Sequence, residues 1–148
     1  MTTTPLSPAD WSEARSWGVA PAAHLLRRLQ TGYRPEDLRR VMDEGPEQTV
    51  DRLLTEQPED PSIGPAIASL EQTALATGQI DSLRAAWLLG MTTPINPLRE
   101  KLTLMWHNHF ATSYAKVQSL ELMRRQIALF RRHAWGKFGA LLPEVSSD

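Results

Sequence analysis

The sequence predicts an all-α protein, an irregular assembly of six to eight helices. Three observations carry this reading. Apolar residues recur at three- and four-residue spacing over most of the chain. No stretch of useful length alternates apolar and polar residues as a half-buried strand would. Glycine and proline punctuate the chain at short intervals, as in Gly18 to Pro21, Gly32 to Pro35 and Gly45-Pro46, where one short helix stops and the next starts.

Composition narrows the class. A length of 148 residues, with 41% hydrophobic and 22% charged residues, is that of one globular domain. The net charge of −1 gives no global attraction to nucleic acid or to a membrane surface. The chain has no cysteine, which excludes disulfides, thiolate catalysis and cysteine-ligated metal. Met1–Trp11 lacks a basic region followed by an apolar one, so no secretory signal is read and the cytoplasm is the default expectation. No apolar run approaches the roughly 18 residues of a membrane span. Charge is nevertheless uneven. Residues 1–60 hold 11 acidic and 7 basic side chains, whereas Lys116–Lys137 holds six basic residues against Glu121 alone. Such polarity marks two faces that attract each other or a partner.

Each element follows from local signals. Residues 1–6 are expected to be disordered, with the helical domain covering residues 7–148. Ser7-Pro8-Ala9-Asp10 is an N-cap signal for a helix that Gly18 stops near Trp17. The next helix starts near Pro21, turns Ala22, Leu25, Leu26 and Leu29 inward, and ends at Gly32. His24 at its start reads as a packing or capping residue. A third helix runs from Pro35 through Leu38, Val41 and Met42 to Gly45. Pro46 opens a fourth with Val50, Leu53 and Leu54 on one face. The segment 57–65 holds three of the eleven prolines and reads as a linker. Ile67–Thr77 and Ile80–Met91 are helical, the latter with Leu83, Ala86, Trp87 and Gly90 on its apolar face.

The central stretch is Pro97–Val117. Asn96 suits an N-cap, Pro97 the first helical position, and Glu100 the positive end of the helix dipole. Leu98, Leu102, Met105, Trp106, His109 and Phe110 share one face, which is expected to be buried, with His107 pointing away beside Glu100. At about 100° per residue, His107 and His109 lie about 200° apart and cannot ligate one ion while the helix lasts. A helix ending near Asn108, with Ala111-Thr112-Ser113 as its break, would let both turn inward to hold zinc or iron. Otherwise His109 reads as a core histidine and His107 as a solvated or groove-facing one.

Ser119 caps a helix reaching about Ala134. Leu122, Met123, Gln126, Ile127, Phe130, His133 and Ala134 line one side, and Arg124, Arg125, Arg131 and Arg132 the other. Gln126 and His133 sit where they could join His109 in a buried polar cluster. After Gly136, apolar periodicity resumes through Phe138, Leu141 and Leu142. Leu141–Val145 reads as the interior of an element and Ser146-Ser147-Asp148 as a cap for a further one, so an incomplete domain is expected.

Three segments carry a resemblance. They are AHLLRRLQTGYRPEDLRRVMDEGPEQTVDRLL (Ala23–Leu54), PLREKLTLMWHNHFATSYAKV (Pro97–Val117) and QIALFRRHAWGKFGALL (Gln126–Leu142). The chain resembles the bacterial family called domain of unknown function 1800, whose most recognisable string is Trp106-His107-Asn108-His109-Phe110. Leu29-Gln30-Thr31-Gly32 departs from the family's usual alanine-glycine-phenylalanine-glycine, and Met105 stands where phenylalanine is common. Both are packing changes. The resemblance implies a predominantly helical fold and correspondence to the amino-terminal third of a longer domain. It implies no activity.

Two functional expectations follow. The first is a scaffold or interaction domain of a larger bacterial protein, with Arg124, Arg125, Arg131 and Arg132 as its contact surface. Its expected partner is a protein, or a missing carboxyl-terminal part, in preference to nucleic acid; the plainer reading of the same arginines is a solvated face. The second is a hydrolase-type enzyme. There His107, His109 and His133 bind a divalent metal or act as acid and base, while Asn108 and Lys116 orient an anionic substrate. Glu100 or Glu121 would supply carboxylate ligands.

Overall fold

A computed structural model describes residues 17–55, 61–92 and 96–147, and these form eight helices with no strand. The expectations for residues 1–6 and for the helix opening at Ser7 lie outside the described residues, as do residues 57–60 of the expected linker. Helix α1 (Val19–Leu29) buries Ala22, Ala23 and Leu26 and carries Arg27 and Arg28 at the negative end of its dipole. It packs on α2 (Pro35–Leu54) around Ala22, Leu26 and Val41, with Trp17, Leu25, Tyr33 and Leu38 half-buried around them.

The third and fourth helices expected from sequence are one bent element. Gly45, at φ 79° and ψ 173°, sits at the kink inside α2, and Pro46, which has no N–H to lose, restarts the helix. The Glu44 carboxylate holds the bend. It accepts from Arg52 Nε at 3.0 and 3.1 Å, from Arg52 Nη2 at 3.0 Å and from Thr49 Oγ1 at 3.2 Å. One helical face does not run unbroken through a kink. Val41, Thr49 and Leu53 are therefore the buried residues, while Met42 and Leu54, expected inward, are exposed.

Helix α3 (Ile63–Thr77) begins four residues before the expected Ile67. Pro65 falls in its first turn, where a missing N–H leaves no hydrogen bond unmade. Gly78, at φ 72°, closes it and leads into α4 (Ile80–Thr92). These two helices form a hairpin whose apolar side, Ala74 and Leu83, packs against Leu120 and Met123.

Helix α5 (Pro97–Phe110) has the expected limits, and the single turn α6 (Tyr114–Val117) follows it. Ser119 caps α7 (Leu120–Arg132), accepting from the Leu122 N–H at 3.3 Å as expected. Helix α8 (Phe138–Ser146) completes the described elements. Helices α5 and α7 are the hub. The former touches α1, α2, α4 and α7; the latter touches α3, α4, α5, α6 and α8. A third cluster of Leu129, Phe130 and Leu141 lies between α7 and α8, with Phe110 stacked on Phe130 at 5.5 Å between centroids. The buried apolar residues thus fall into separate clusters, and polar contacts link the helices between them.

Candidate functional site

Helix α5 is rotated relative to the sequence expectation. Its buried residues are Pro97, Leu98, Glu100 and Thr103, and His107 continues that line one turn on. His109, expected on the buried stripe, is exposed, as is Met105. On the buried side the Glu100 carboxylate is paired. It accepts from Arg131 Nε at 2.7 Å and Nη2 at 3.0 Å, a two-pronged contact only 11% exposed on the carboxylate side. Arg99 Nε adds a bond to the Arg131 carbonyl at 3.3 Å. Gly90 of α4 lies beside the pair: a Cβ there would make ordinary contacts, 3.4 Å from Arg131 Nη2 and 3.7 Å from Glu100 Oε2. A buried carboxylate is tolerated when its partner supplies matched donors.

This contact divides the arginine row. Arg131 points inward. Arg124, Arg125 and Arg132 border a cleft of about 350 Å³ between α7 and α8, floored by Ala128 and Leu129 and closed by Glu144 and Ser147. Arg124 is braced by Glu121 at 2.8 and 3.0 Å, with Glu71 at 3.8 Å. The hydrogen bond from Arg124 holds the Glu121 carboxyl below its ordinary range, and the same contact raises the guanidinium. Glu144 lies 3.5 Å from Arg132 and 3.1 Å from His133 Nε2. A carboxylate of the chain itself therefore already occupies one end of the cleft.

A second concavity, of about 230 Å³, opens where α4, α5 and α7 meet. Leu83, Trp87, Met123 and Ile127 form its apolar wall; Arg84, His107, Thr112, Ser113 and Tyr114 supply the polar groups. The His107 ring meets Trp87 edge-on at 4.9 Å and Phe130 at 6.5 Å. Its Nδ1 is buried without a hydrogen-bond partner among the described residues, as is Trp87 Nε1. Desolvation by burial pushes the His107 pKa down and so favours the neutral ring.

The three carboxyl-terminal histidines occupy different surroundings. His107 faces the α4/α5/α7 concavity. His109 stands among Trp106, Phe110 and Phe138, at 5.9, 5.1 and 6.3 Å. His133 caps α7 against Glu144. The polar cluster expected for Gln126, His133 and His109 is not formed, because Gln126 Nε2 donates to Thr112 Oγ1 at 2.9 Å. Asn108, Lys116 and His24 are exposed. Among the described residues, no three His, Asp or Glu side chains are grouped to hold a metal ion. The shared-metal and acid–base arrangements of the enzyme expectation gain no support from these positions.

Sequence reasoning missed Arg84, Thr112, Ser113 and Tyr114 as neighbours of His107. One signal was available: Glu100, Thr103 and His107 form a polar line at i, i+3 and i+7 within an amphipathic helix. No described helix is long and apolar enough to cross a membrane. Comparison with curated proteins and with solved structures gave no match. A family model described as a protein of unknown function, DUF1800, matches residues 24–148. That span includes the Trp106–Phe110 string, both central helices and both concavities, so this helical chain belongs to the DUF1800 family.

Proposed function

We propose that the chain is a helical interaction domain that receives an acidic segment of a protein partner in the α7/α8 cleft. One observation carries this reading. Arg124, Arg125 and Arg132 converge on a single concavity of about 350 Å³ while Arg131 is withdrawn into the fold. The partner is acidic because arginine forks match carboxylates. Glu144, beside Arg132 and His133, illustrates the group that fits.

The test uses a fluorescently labelled glutamate- and aspartate-rich peptide, with a single-stranded DNA oligonucleotide of equal charge for comparison. The peptide should bind saturably. The pair Arg125→Glu and Arg132→Glu should weaken it about tenfold or more, as several rim charges act together, with the thermal melt unchanged. Arg131 is left alone because its reversal would break the fold. Equal binding by the charge-reversed variant would reject the cleft. Preferential DNA binding with a steep salt slope would replace the protein partner by nucleic acid.

A further inference from the structure

We propose that Glu144 is a built-in competitor for the α7/α8 cleft: its carboxylate holds the Arg132 end until an incoming acidic side chain displaces it. This rests on the cleft being a site for an acidic segment, and deepens that reading by naming what regulates entry. Chemical identity is the first support. Glu144 Oε2 lies 3.5 Å from Arg132 Nη2, and Oε1 lies 3.1 Å from His133 Nε2. A glutamate carboxylate thus already stands where a partner's glutamate or aspartate would stand. It reaches these groups from a different helix and lines the cleft with Arg124, Arg125 and Arg132. The Glu121 brace on Arg124 differs, being a local contact three positions away on α7 and outside the lining.

Exposure separates this contact from the one that holds the fold. The Arg132 and Glu144 side chains are 63% and 51% exposed, against 19% and 11% for Arg131 and Glu100. Parting the buried pair strands a charge away from water, whereas the exposed pair parts into solvent at little cost. One contact is fixed and the other is exchangeable.

The element that carries Glu144 suits exchange. Helix α8 has nine residues, of which Leu141 is buried and Val145 half-buried. Pro143 stands inside it, immediately before Glu144, and supplies no N–H to the helical ladder. A short helix with an interrupted ladder has little rigidity of its own. The carboxylate can therefore leave Arg132 by rotation of its side chain or a shift of the helix end, with Leu141 kept in place.

The test titrates a fluorescently labelled glutamate- and aspartate-rich peptide into the whole chain at fixed pH and ionic strength. Glu144→Gln keeps the side chain's size and removes the competing charge. It should bind the peptide about two- to fivefold more tightly than the unaltered chain, the worth of one exposed ion pair. Glu144→Asp keeps the charge but is one methylene shorter, which withdraws it from Arg132, so binding should tighten there too, by a smaller factor. Thermal melts of the three proteins should coincide. Equal or weaker binding by Glu144→Gln, beside saturable binding by the unaltered chain, would overturn the competitor and leave the acidic-segment reading standing. Tightening in Glu144→Gln alone, with Glu144→Asp at the level of the unaltered chain, would reduce the effect to net charge and overturn it as well. No binding by any of the three would reject the acidic-segment reading, and the competitor with it.

Discussion

Arg131 on α7 grips Glu100 on α5 through two hydrogen bonds, at 2.7 and 3.0 Å, across 31 positions of sequence. The pair lies on the buried side of α5, with Leu98 and Thr103. In this orientation of α5, His107 faces α4 and α7 and His109 lies outside, and the pair removes one of four arginines from the basic surface.

The energetic weight of the pair should appear on breaking it. Glu100→Ala leaves a guanidinium that is only 19% exposed without its partner, so stability should fall by about 3–5 kcal/mol. Replacing both partners with methionine should cost far less, because no charge is then left unmatched. Urea unfolding of the two single variants and the double variant gives the comparison. If the double variant were as unstable as Glu100→Ala, the site would depend on shape rather than on charge matching.

Gly45 should resist substitution. Its φ of 79° with ψ of 173° lies where a Cβ is strained, although nothing stands within 4 Å of the position a Cβ would take. Gly45→Ala should therefore destabilise by about 1–3 kcal/mol through backbone strain alone. Gly90 is the control, being helical with ordinary contacts for a Cβ. There alanine should be neutral or stabilise by up to about 1 kcal/mol, from helix propensity. Equal losses at both sites in thermal melts would count against the kink as the cause.

His107 should make stability depend on pH. Its folded pKa lies below the ordinary 6.5 because burial disfavours the imidazolium. Above 6.5 the ring is neutral in the folded and unfolded chain, and the group imposes no difference. As pH falls through 6.5 the unfolded chain takes up a proton that the folded protein resists, and stability declines. The decline levels off once the pH is below the folded value. His107→Phe should flatten this slope between pH 7.5 and 5, measured as the difference between the two proteins' urea midpoints. Parallel pH profiles would show that His107 is not the titrating group.

Much of the secondary structure was legible in the sequence because its causes are local. Asn96-Pro97 opens α5, Ser119 caps α7, Gly45-Pro46 marks the break in α2, and α4 turns Leu83 and Ala86 inward. Each depends on residues within a few positions of one another, where capping, proline geometry and helical periodicity decide. Family membership was legible for the same reason, in a contiguous string around Trp106–Phe110. Which face of α5 is buried was decided only in the tertiary structure. Periodicity assigns a carboxylate and its neighbours to solvent, and only the approach of Arg131 makes Glu100 an inside residue that carries His107 with it. The two concavities likewise exist only after folding. One needs α8 laid against α7 so that Glu144 and Ser147 close the arginine cleft; the other needs Trp87, His107 and Tyr114 gathered from three helices, by contacts that no local spacing encodes.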